Sequence, residues 1–309
     1  MATYNWTTNA NMIPEIIAKE TIEQTKSNMQ LTKLCRQDFS SEIGAYGDTV
    51  KIPKSTKPTV QTKTPGTAIS SRVGLSTSVV EIALEKHFVV PFTIEDTGRI
   101  LSKPRIFQMS MQDAGIAMAE KIETYIFELI VAHGLSSSSY RLGTFGTDID
   151  YDLIQSIKKA MDKAKIPQGY ERYCILGPEG ENNLFDISEL SKAINAGNVN
   201  KESAAITGKI NKALGINFAM NQLEPETSGT PAQRSGIAFV SPAIAVVNRA
   251  LEKPISSNIN AYDYNDPDTG LNIRVTINYD SNNIGDAINI ECLLGAKIIM
   301  PDWCWEVRH

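Results

Sequence analysis

The sequence lacks the features that mark secreted and membrane proteins. Its four cysteines stand far apart without a C-x-x-C pair, and it contains only three histidines. Widely spaced cysteines favour reduced thiols in a cytoplasmic protein over a disulfide framework. No apolar run approaches the roughly 18 residues that cross a bilayer, and the first residues show no signal-peptide pattern. We therefore expect a soluble protein without a membrane partner.

Motifs for catalysis and cofactor binding are also missing. The sequence has no G-x-x-x-x-G-K-[ST], G-x-G-x-x-G, G-x-S-x-G or H-E-x-x-H pattern. His133 falls near the predicted end of a helix, where the helix dipole favours a cation without any catalytic role. We expect neither enzyme activity nor a cofactor. The alternative, an enzyme, would need a Cys–His pair or a pocket lined by His87 or Cys174.

What the sequence does contain is one very long helical segment, residues 102–134. Ser102 suits the N-cap, Pro104 suits the first turn, and Gly134 can end the helix in the left-handed conformation. Apolar residues recur at three- and four-residue steps, which predicts one buried stripe. The stripe comprises Ile106, Met109, Ile116, Ala119, Ile122, Ile126, Leu129 and Ile130, and we expect Ile116, Ile122, Ile126 and Leu129 to form its core. Roughly 30 residues make a rod of about 45 Å, which suits a scaffold better than a cleft wall.

A polar segment precedes this helix and cannot form a core alone. Residues 54–78 are mostly Ser, Thr, Lys, Gly and Pro, so they bury too little apolar surface to fold independently. Strand-like sequences flank the segment, with Val50 and Ile52 before it and VVEIALEKHFVVPF after it. We predict a two-stranded hairpin that projects from the body and needs a neighbour to lie on. A disordered surface loop is the alternative.

The remaining sequence mixes helices and strands without regular alternation, which is typical of an α+β fold. Polar residues 1–12 predict an N-terminal arm, followed by a helix from Pro14 to about Leu34. Later helices are predicted in DIDYDLIQSIKKAMDKAKIPQG (stopped by Pro167), ENNLFDISELSKAI and SPAIAVVNRAL. Strands are predicted in RYCILGPEG, GINFAMNQL, GIAFVSP, LNIRVTINYD and INIECLLGAKIIM. Loops are predicted in EPETSGTPAQRSG and SSNINAYDYNDPDTG. The last two strands are expected to pair in antiparallel fashion.

One acidic stretch is the best candidate for a metal site. DYNDPDTG places Asp263, Asp266 and Asp268 close to a glycine. A helix–loop–helix calcium site would need glutamate in its twelfth position, where Arg274 stands, and Pro267 interrupts the pattern. We therefore favour a solvated acidic turn over a metal site.

Residues 51–63 are basic and contain no acidic residue. Such a segment could contact a phosphate backbone or an acidic patch on a neighbouring subunit. Few aromatic residues lie nearby, so base stacking and sequence reading are not expected. A charged edge that resists unwanted strand pairing is the simpler alternative. The basic side chains are Lys51, Lys54, Lys57 and Lys63.

The order of these parts resembles the major capsid proteins of tailed bacteriophages with the Hong Kong-97-type fold, in particular the branch similar to the coat protein of Salmonella podophages. The resemblance covers residues 10–309. It is carried by GDTVKIPKS and STSVVEIALEKHFVVPFTIED around the loop, DAGIAMAEKIETYIFELI in the long helix, LIQSIKKAMDKAKIPQGYERYCILGPEGENNLF after it, and LNIRVTINYD with LLGAKIIMPDWCWEV near the end.

The resemblance implies a division of the chain into parts. These are an N-terminal arm (1–48), an extended loop with flanking strands (49–92), a spine helix with peripheral domain (93–145), a mostly axial domain (146–285) and closing peripheral strands (286–309). In that family the loop of one subunit lies across the spine helix of its neighbour, axial domains form the hubs of pentamers and hexamers, and the arm reaches adjacent subunits. The implied contact residues are Lys51, Lys54, Lys57, Lys63, Arg72, Tyr262 and Tyr264.

The implied function is that of a homo-oligomeric virion shell around double-stranded DNA, which it touches non-specifically. A portal protein is an implied partner, and synthesis and assembly are expected in the cytoplasm of a host bacterium. The chain begins almost at the arm, which implies a separate scaffolding protein or none. Some relatives crosslink a loop lysine to a neighbouring asparagine, for which Lys54, Lys57 or Lys63 could be placed. An encapsulin-like nanocompartment that encloses cargo enzymes, and a tail or decoration protein, are the alternatives.

Overall fold

The computed structural model describes residues 21, 29–37, 49–55, 60, 62–66, 77–96, 105–188, 190, 210–227, 233–254, 260–265 and 271–309. Its helices are α1 (Leu31–Leu34), α2 (Arg105–Ser136), α3 (Tyr151–Lys163) and α4 (Pro178–Asp186). Its strands are β1 (Thr49–Ser55), β2 (Thr77–Ala83), β3 (Lys86–Glu95), β4 (Arg141–Gly143), β5 (Arg172–Leu176), β6 (Lys212–Ala213), β7 (Ile216–Met220), β8 (Glu226–Thr227), β9 (Gln233–Val240), β10 (Ile244–Arg249), β11 (Asn260–Asn265), β12 (Asn272–Asp280), β13 (Gly285–Ile298) and β14 (Cys304–Arg308).

Helix α2 is the long helix expected from the sequence, and its 32 residues span about 48 Å. Its buried apolar residues follow mainly the four-residue step that aligns one helix face. They are Ala114, Met118, Ala119, Ile122, Ile126, Phe127 and Ile130. Ile122 and Ile126 are 0% exposed, Ile116 and Leu129 are half-buried, and Met109 is 55% exposed. The predicted cap at Ser102 lies outside the described residues.

The predicted end of this helix is wrong, because α2 continues through Gly134 to Ser136. Gly134 is helical, and a Cβ added there would lie 2.4 Å from the Cβ of Glu306 on β14. The glycine therefore permits close approach of a strand rather than a left-handed turn. Arg141 satisfies carbonyls of the last turn, since its guanidinium donates to the oxygens of Gly134 (2.7 Å) and Leu135 (2.9 Å).

Sheet 1 is built around the long strand β13. Strand β3 pairs along one edge of β13, while β12 and β10 pair end to end along the other, all antiparallel, and β11 lies beyond β12. The predicted antiparallel pair of β12 and β13 is confirmed, with Arg274 opposite Glu291. Alternate residues such as Ile290 and Cys292 face α2 and form the main core with it. No helix in the described ranges is long and apolar enough to span a membrane.

Two elements of sheet 1 correct the sequence predictions. SPAIAVVNRAL forms a short 3₁₀ turn and then strand β10, not a helix. Pairing with β13 explains the difference, because Ile244 and Val246 face the main core while Ala245 and Val247 face a smaller one. The predicted loop SSNINAYDYNDPDTG contains strand β11, which pairs with β12. In both stretches tertiary pairing decided the local structure.

Sheet 2 separates the main core from a second core. Its strand order is β4-β14-β9-β5-β7-β6, and β8 lies beside β9. The predicted loop EPETSGTPAQRSG therefore contains strand β8 and the start of strand β9. Along its strands Ile175 and Phe239 face α2, whereas Cys174 and Ala238 face the core made with α3 and α4. Helix α3 ends at Lys163, before Pro167, and α4 begins at Pro178, earlier than predicted.

The stretch after the polar segment, which was predicted as strand, forms two strands in the structure. Strand β2 pairs with β1 in an antiparallel hairpin, from Thr49 opposite Ala83 to Ser55 opposite Thr77, while β3 joins sheet 1. One hairpin face packs on the body in the third, smaller core, which contains Val50, Ile52, Ile82, Ala245, Val247 and Ile299. Where β2 ends, the carbonyl of Ala83 lies against Gly295, and a Cβ at residue 295 would be 2.2 Å from that oxygen.

Candidate functional site

A buried carboxylate holds the N-terminal segment to the long helix. Glu123 on α2 is 0% exposed. It accepts hydrogen bonds from three successive backbone N–H groups, those of Gln30 (3.1 Å), Leu31 (3.0 Å) and Thr32 (2.9 Å), and from the Thr32 hydroxyl (3.0 Å). These amides lie at the start of α1, where helical N–H groups have no partner within the helix. Glu123 therefore caps α1 from a different element.

A fifth donor connects this cap to sheet 2. The side-chain amide of Asn221 donates to Glu123 at 2.7 Å, and its backbone N–H donates to the carbonyl of Leu176 at 2.9 Å. The Asn221 side-chain oxygen accepts from the N–H of Leu223 at 2.9 Å, so the amide orientation is fixed. We call Glu123, Asn221 and residues 30–32 the arm clip. Five donors compensate the burial of the Glu123 carboxylate.

Sequence reasoning missed the arm clip, although one signal was available. Glu123 stands on the same helix face as Ala119, Ile126 and Phe127, all of which are buried. A single acidic residue inside an apolar stripe indicates a buried carboxylate that needs donors from elsewhere. The identity of those donors cannot be read from the sequence, because Thr32 and Asn221 are each more than 90 positions away.

The base of the β1–β2 hairpin is tied to the body by polar contacts as well as by its small core. The Lys54 ammonium lies 3.5 Å from the carbonyl oxygen of Ile299, and Lys297 donates to the carbonyl of Glu81 at 2.7 Å. Lys51 forms an exposed ion pair with Glu81 at 3.3 Å. Two of the predicted contact lysines, Lys51 and Lys54, are thus engaged within the subunit.

The distal part of the hairpin presents exposed residues. Val60 is 91% exposed, the largest exposure of a large apolar side chain among the described residues, and Lys63 is also exposed. Pro65 and Gly66 form a turn, in which Gly66 has a φ of 84°. This φ is one that glycine adopts without steric cost, and Pro–Gly is a common turn pair. Lys57 and Arg72 lie outside the described residues.

The two tyrosines predicted as contact residues lie on β11. Tyr262 and Tyr264 are half-buried, and both pack against the main core of their own subunit. Their position two residues apart places them on one face of the strand. The structure therefore brings neither tyrosine together with Lys51, Lys54 or Lys63 in one site, and gives both rings a role in internal packing.

The predicted metal candidate is only partly described. Asp263 lies on β11 directly opposite Arg274, whereas Asp266 and Asp268 lie outside the described residues. Burial raises the pKa of the Asp263 carboxyl above its usual value, and the Arg274 guanidinium acts in the opposite direction. Within the described ranges, no group of three or more His, Cys, Asp or Glu side chains could hold a metal ion.

The histidines have oxygen partners. The His87 Nε2 lies 3.3 Å from a carboxylate oxygen of Glu291. The His133 Nε2 lies 3.0 Å from the carbonyl oxygen of Pro301, and the His309 Nε2 lies 2.9 Å from a carboxylate oxygen of Glu224. His133 also stacks on Tyr140, with ring centroids 4.2 Å apart. These contacts give each ring a structural role.

The cysteines are free and buried. Burial raises the pKa of Cys292 to about 12, and it raises those of Cys35, Cys174 and Cys304 well above their usual value. A raised pKa disfavours the thiolate, which is the nucleophilic form. The thiols therefore behave as buried apolar groups.

Comparison with solved structures identifies the fold. The chain is similar to a structure from Mycobacterium phage Che8, with a TM-score of 0.64 and 18% identity over 90% of both chains. It is similar to the capsid structure of cyanophage P-SCSP1u, with a TM-score of 0.60 and 15% identity over 90% of this chain and 87% of that one. A virus-like particle from Pyrococcus furiosus also matches, with a TM-score of 0.52 and 10% identity over 95% and 98%.

No protein-family model and no curated protein matches the sequence. The structural likeness nevertheless extends over nine-tenths of the chain in the first two matches. Coverage of this extent describes most of the fold and not an isolated motif. At identities below one-fifth, such a likeness is informative about architecture. The chain thus has the mixed α+β fold of phage capsid structures.

Proposed function

We propose that the chain is a major capsid protein of a tailed phage, with the Hong Kong-97-type fold and related to the Salmonella podophage branch. It assembles as pentamers and hexamers into an icosahedral shell that encloses double-stranded DNA. The observation that carries the proposal is the fold shared with phage capsid structures over about 90% of the chain. The protein resides in the virion, is made and assembled in the cytoplasm of a host bacterium, and has no enzymatic role.

Two features of the subunit support an assembly role. The hairpin has a packed base and an exposed distal part, and an exposed side chain such as Val60 gains burial when a second subunit covers it. The arm clip fixes residues 30–32 on α2, so the chain that precedes them starts from a defined point on the subunit. In the proposed shell both segments reach neighbouring subunits. The proposed partners are further copies, a portal protein, a separate scaffolding protein if one is used, and the packaged DNA.

Electron microscopy of the expressed full-length chain tests the proposal. We expect closed shells or capsomers, either from the chain alone or after co-expression with the scaffolding protein of the same genome. A protein that stays a monodisperse monomer under both conditions would refute the proposal. Recovery of nuclease-protected double-stranded DNA from particles made during infection is expected as well.

A nanocompartment that encloses cargo enzymes is the second candidate. It is favoured by the match to the virus-like particle from Pyrococcus furiosus, which covers 95% of this chain and 98% of that one. Mass spectrometry and nuclease treatment of purified shells separate the two functions. A stoichiometric enzyme inside DNA-free shells would establish the nanocompartment, whereas a packaged genome would exclude it.

A further inference from the structure

A basic depression lies beside α3, on the side of sheet 2 opposite α2. Its volume is about 570 Å³. Three lysines of α3 line it, together with three further residues of that helix and one from the turn between β6 and β7. The seven lining residues are Lys158, Lys159, Lys163, Tyr151, Gln155, Asp162 and Leu214. We call this depression the basic groove. All three lysines are exposed, so their ammonium groups are available to a ligand.

The charge of the basic groove is not neutralised within the described part of the subunit. Its one acidic lining residue, Asp162, forms an ion pair with Arg172 at 2.7 Å. No described carboxylate lies within ion-pair distance of Lys158, Lys159 or Lys163. A net positive depression on a chain with a net charge of −5 calls for an acidic ligand.

An acidic surface lies at the start of α3, next to the Tyr151 end of the basic groove. Asp150 caps α3 by accepting from the N–H of Leu153 at 2.8 Å, and Asp148 accepts from Asn183 at 3.3 Å, which links the start of α3 to the middle of α4. Acidic residues near a helix start are favourable for folding, which explains part of this surface. We call Asp148, Asp152, Glu179, Glu181 and Asp186 the acidic end.

Few cations balance the acidic end. Arg234 pairs with Glu179 at 2.6 Å and with Glu226 at 3.2 Å, so one guanidinium serves two carboxylates. Glu181 and Asp186 have no cationic partner among the residues that the structure describes. The acidic end therefore keeps a net negative charge that is accessible to another molecule.

Among the described residues, no ion pair joins the two surfaces within one subunit. The three lysines lie in the second half of α3 and the acidic end lies at its start, although the groove itself extends back to Tyr151. We propose that the basic groove of one subunit receives the acidic end of the next copy. Such a contact joins two different patches, is head-to-tail, and closes into a ring if the rotation between copies permits. It rests on the proposed function, which requires ring-shaped capsomers.

A second copy fits the basic groove better than nucleic acid does. The complementary charge is carried by the same chain and is present once per groove in any assembly. The net charge of −5 on the whole chain disfavours a DNA duplex as the ligand. Tyr151 is the single aromatic lining residue and is half-buried, so the groove offers no platform for base stacking.

Charge reversal with rescue tests the contact in the full-length chain. The groove variant is Lys158→Glu with Lys163→Glu, and the end variant is Glu181→Lys with Asp186→Lys. We expect each to lower the yield of assembled particles, measured by sedimentation at low salt, by about tenfold, because like charges then face each other. The chain that carries all four substitutions restores complementarity and is expected to assemble. Lys33→Glu with Lys253→Glu is the matched control, since both lysines are exposed and lie outside the groove.

The outcomes separate the contact from the proposed function. Wild-type-like assembly of the groove variant, or no rescue by the fourfold variant, would overturn the contact and leave a capsid function standing. Salt-sensitive head-to-tail association that gives only open chains, and neither capsomers nor shells with or without the scaffolding protein, would support the contact and refute the capsid function. A groove variant that assembles normally but loses retardation of a short DNA duplex would show a phosphate site and overturn the copy-to-copy contact. Unchanged thermal melting confirms that each variant is folded.

Discussion

The side chains of helix α2 and those of the β1–β2 hairpin differ in where they find their contacts. From Ala114 to Ile130, helix α2 packs against the main core and accepts the arm clip, so its apolar face and its buried carboxylate find partners in the same subunit. The hairpin packs only one face of its base, and Val60 beyond that base is 91% exposed. The difference teaches that subunit stability and subunit association depend on separate parts of the chain.

The largest loss of stability is expected in the middle of α2. Ile122→Asp places a carboxylate at a position that is 0% exposed, and no described side chain there offers it a cationic partner. We expect loss of at least about 4 kcal/mol, enough to unfold many domains of this type. Circular dichroism during thermal denaturation measures it. Met109→Asp, at a 55% exposed position of the same helix, is the control and should melt like the wild type.

The second largest loss of stability is expected at the arm clip. Glu123→Ala removes the acceptor of five hydrogen bonds and leaves the buried N–H groups of residues 31 and 32 without a partner. We expect a loss of about 3 kcal/mol, concentrated in the arm. Amide hydrogen exchange should show deprotection of residues 30–32 while α2 stays protected.

Glu128→Ala is the matched control for the clip, because Glu128 is exposed on the same helix. Retained protection of residues 30–32 in Glu123→Ala would mean that the apolar contacts of Leu31 hold the segment without the carboxylate.

At the base of the hairpin the effect should be smaller and local. Ile52 belongs to the small third core, and Ile52→Ala is expected to cost about 2 kcal/mol by leaving a cavity. Hydrogen exchange in β1 and β2 should accelerate, whereas exchange in sheet 1 should not change. Val79→Ala is the control on the opposite face, because Val79 is 54% exposed. Equal exchange in both variants would contradict a packed base.

The distal part of the hairpin should matter least for the subunit and most for assembly. Ser55 and Thr77 are paired, so deletion of residues 57–75 leaves Thr56 and Ser76 to connect β1 with β2, a length that suits a hairpin turn. We expect an unchanged melting temperature and no shells in electron micrographs. Shells formed by this deletion variant would refute an assembly role for the loop.

The parts predicted from the sequence are those with strong local patterns. Helix α2 has an apolar residue at nearly every third or fourth position, and β12 and β13 are rich in β-branched residues, so their local preferences agree with the fold. Strand β10 was predicted as a helix because its short apolar run has no decisive period. Its pairing with β13, more than 40 positions away, determines the structure.

The candidate site was less predictable than the fold. The pairing of β1 with β2 agrees with the strand-like sequences on either side of the polar segment, but the engagement of Lys54 with Ile299 and of Tyr262 with the main core depends on distant segments. Gly134 illustrates the same limit, since a glycine near a helix end predicts a left-handed cap and here accommodates Glu306 instead. Residue type alone does not distinguish a glycine needed for its φ from one needed for its missing side chain.

The contact between Gly295 and the carbonyl of Ala83 has a consequence for shell geometry. Because a backbone oxygen lies where a side chain at residue 295 would begin, the angle between the hairpin and sheet 1 is set by main-chain packing. In the proposed shell that angle contributes to the tilt between adjacent subunits. We expect a methyl group at residue 295 to displace the hairpin, so that in the proposed shell one hydrogen-to-methyl change would alter the curvature and the diameter of the particle.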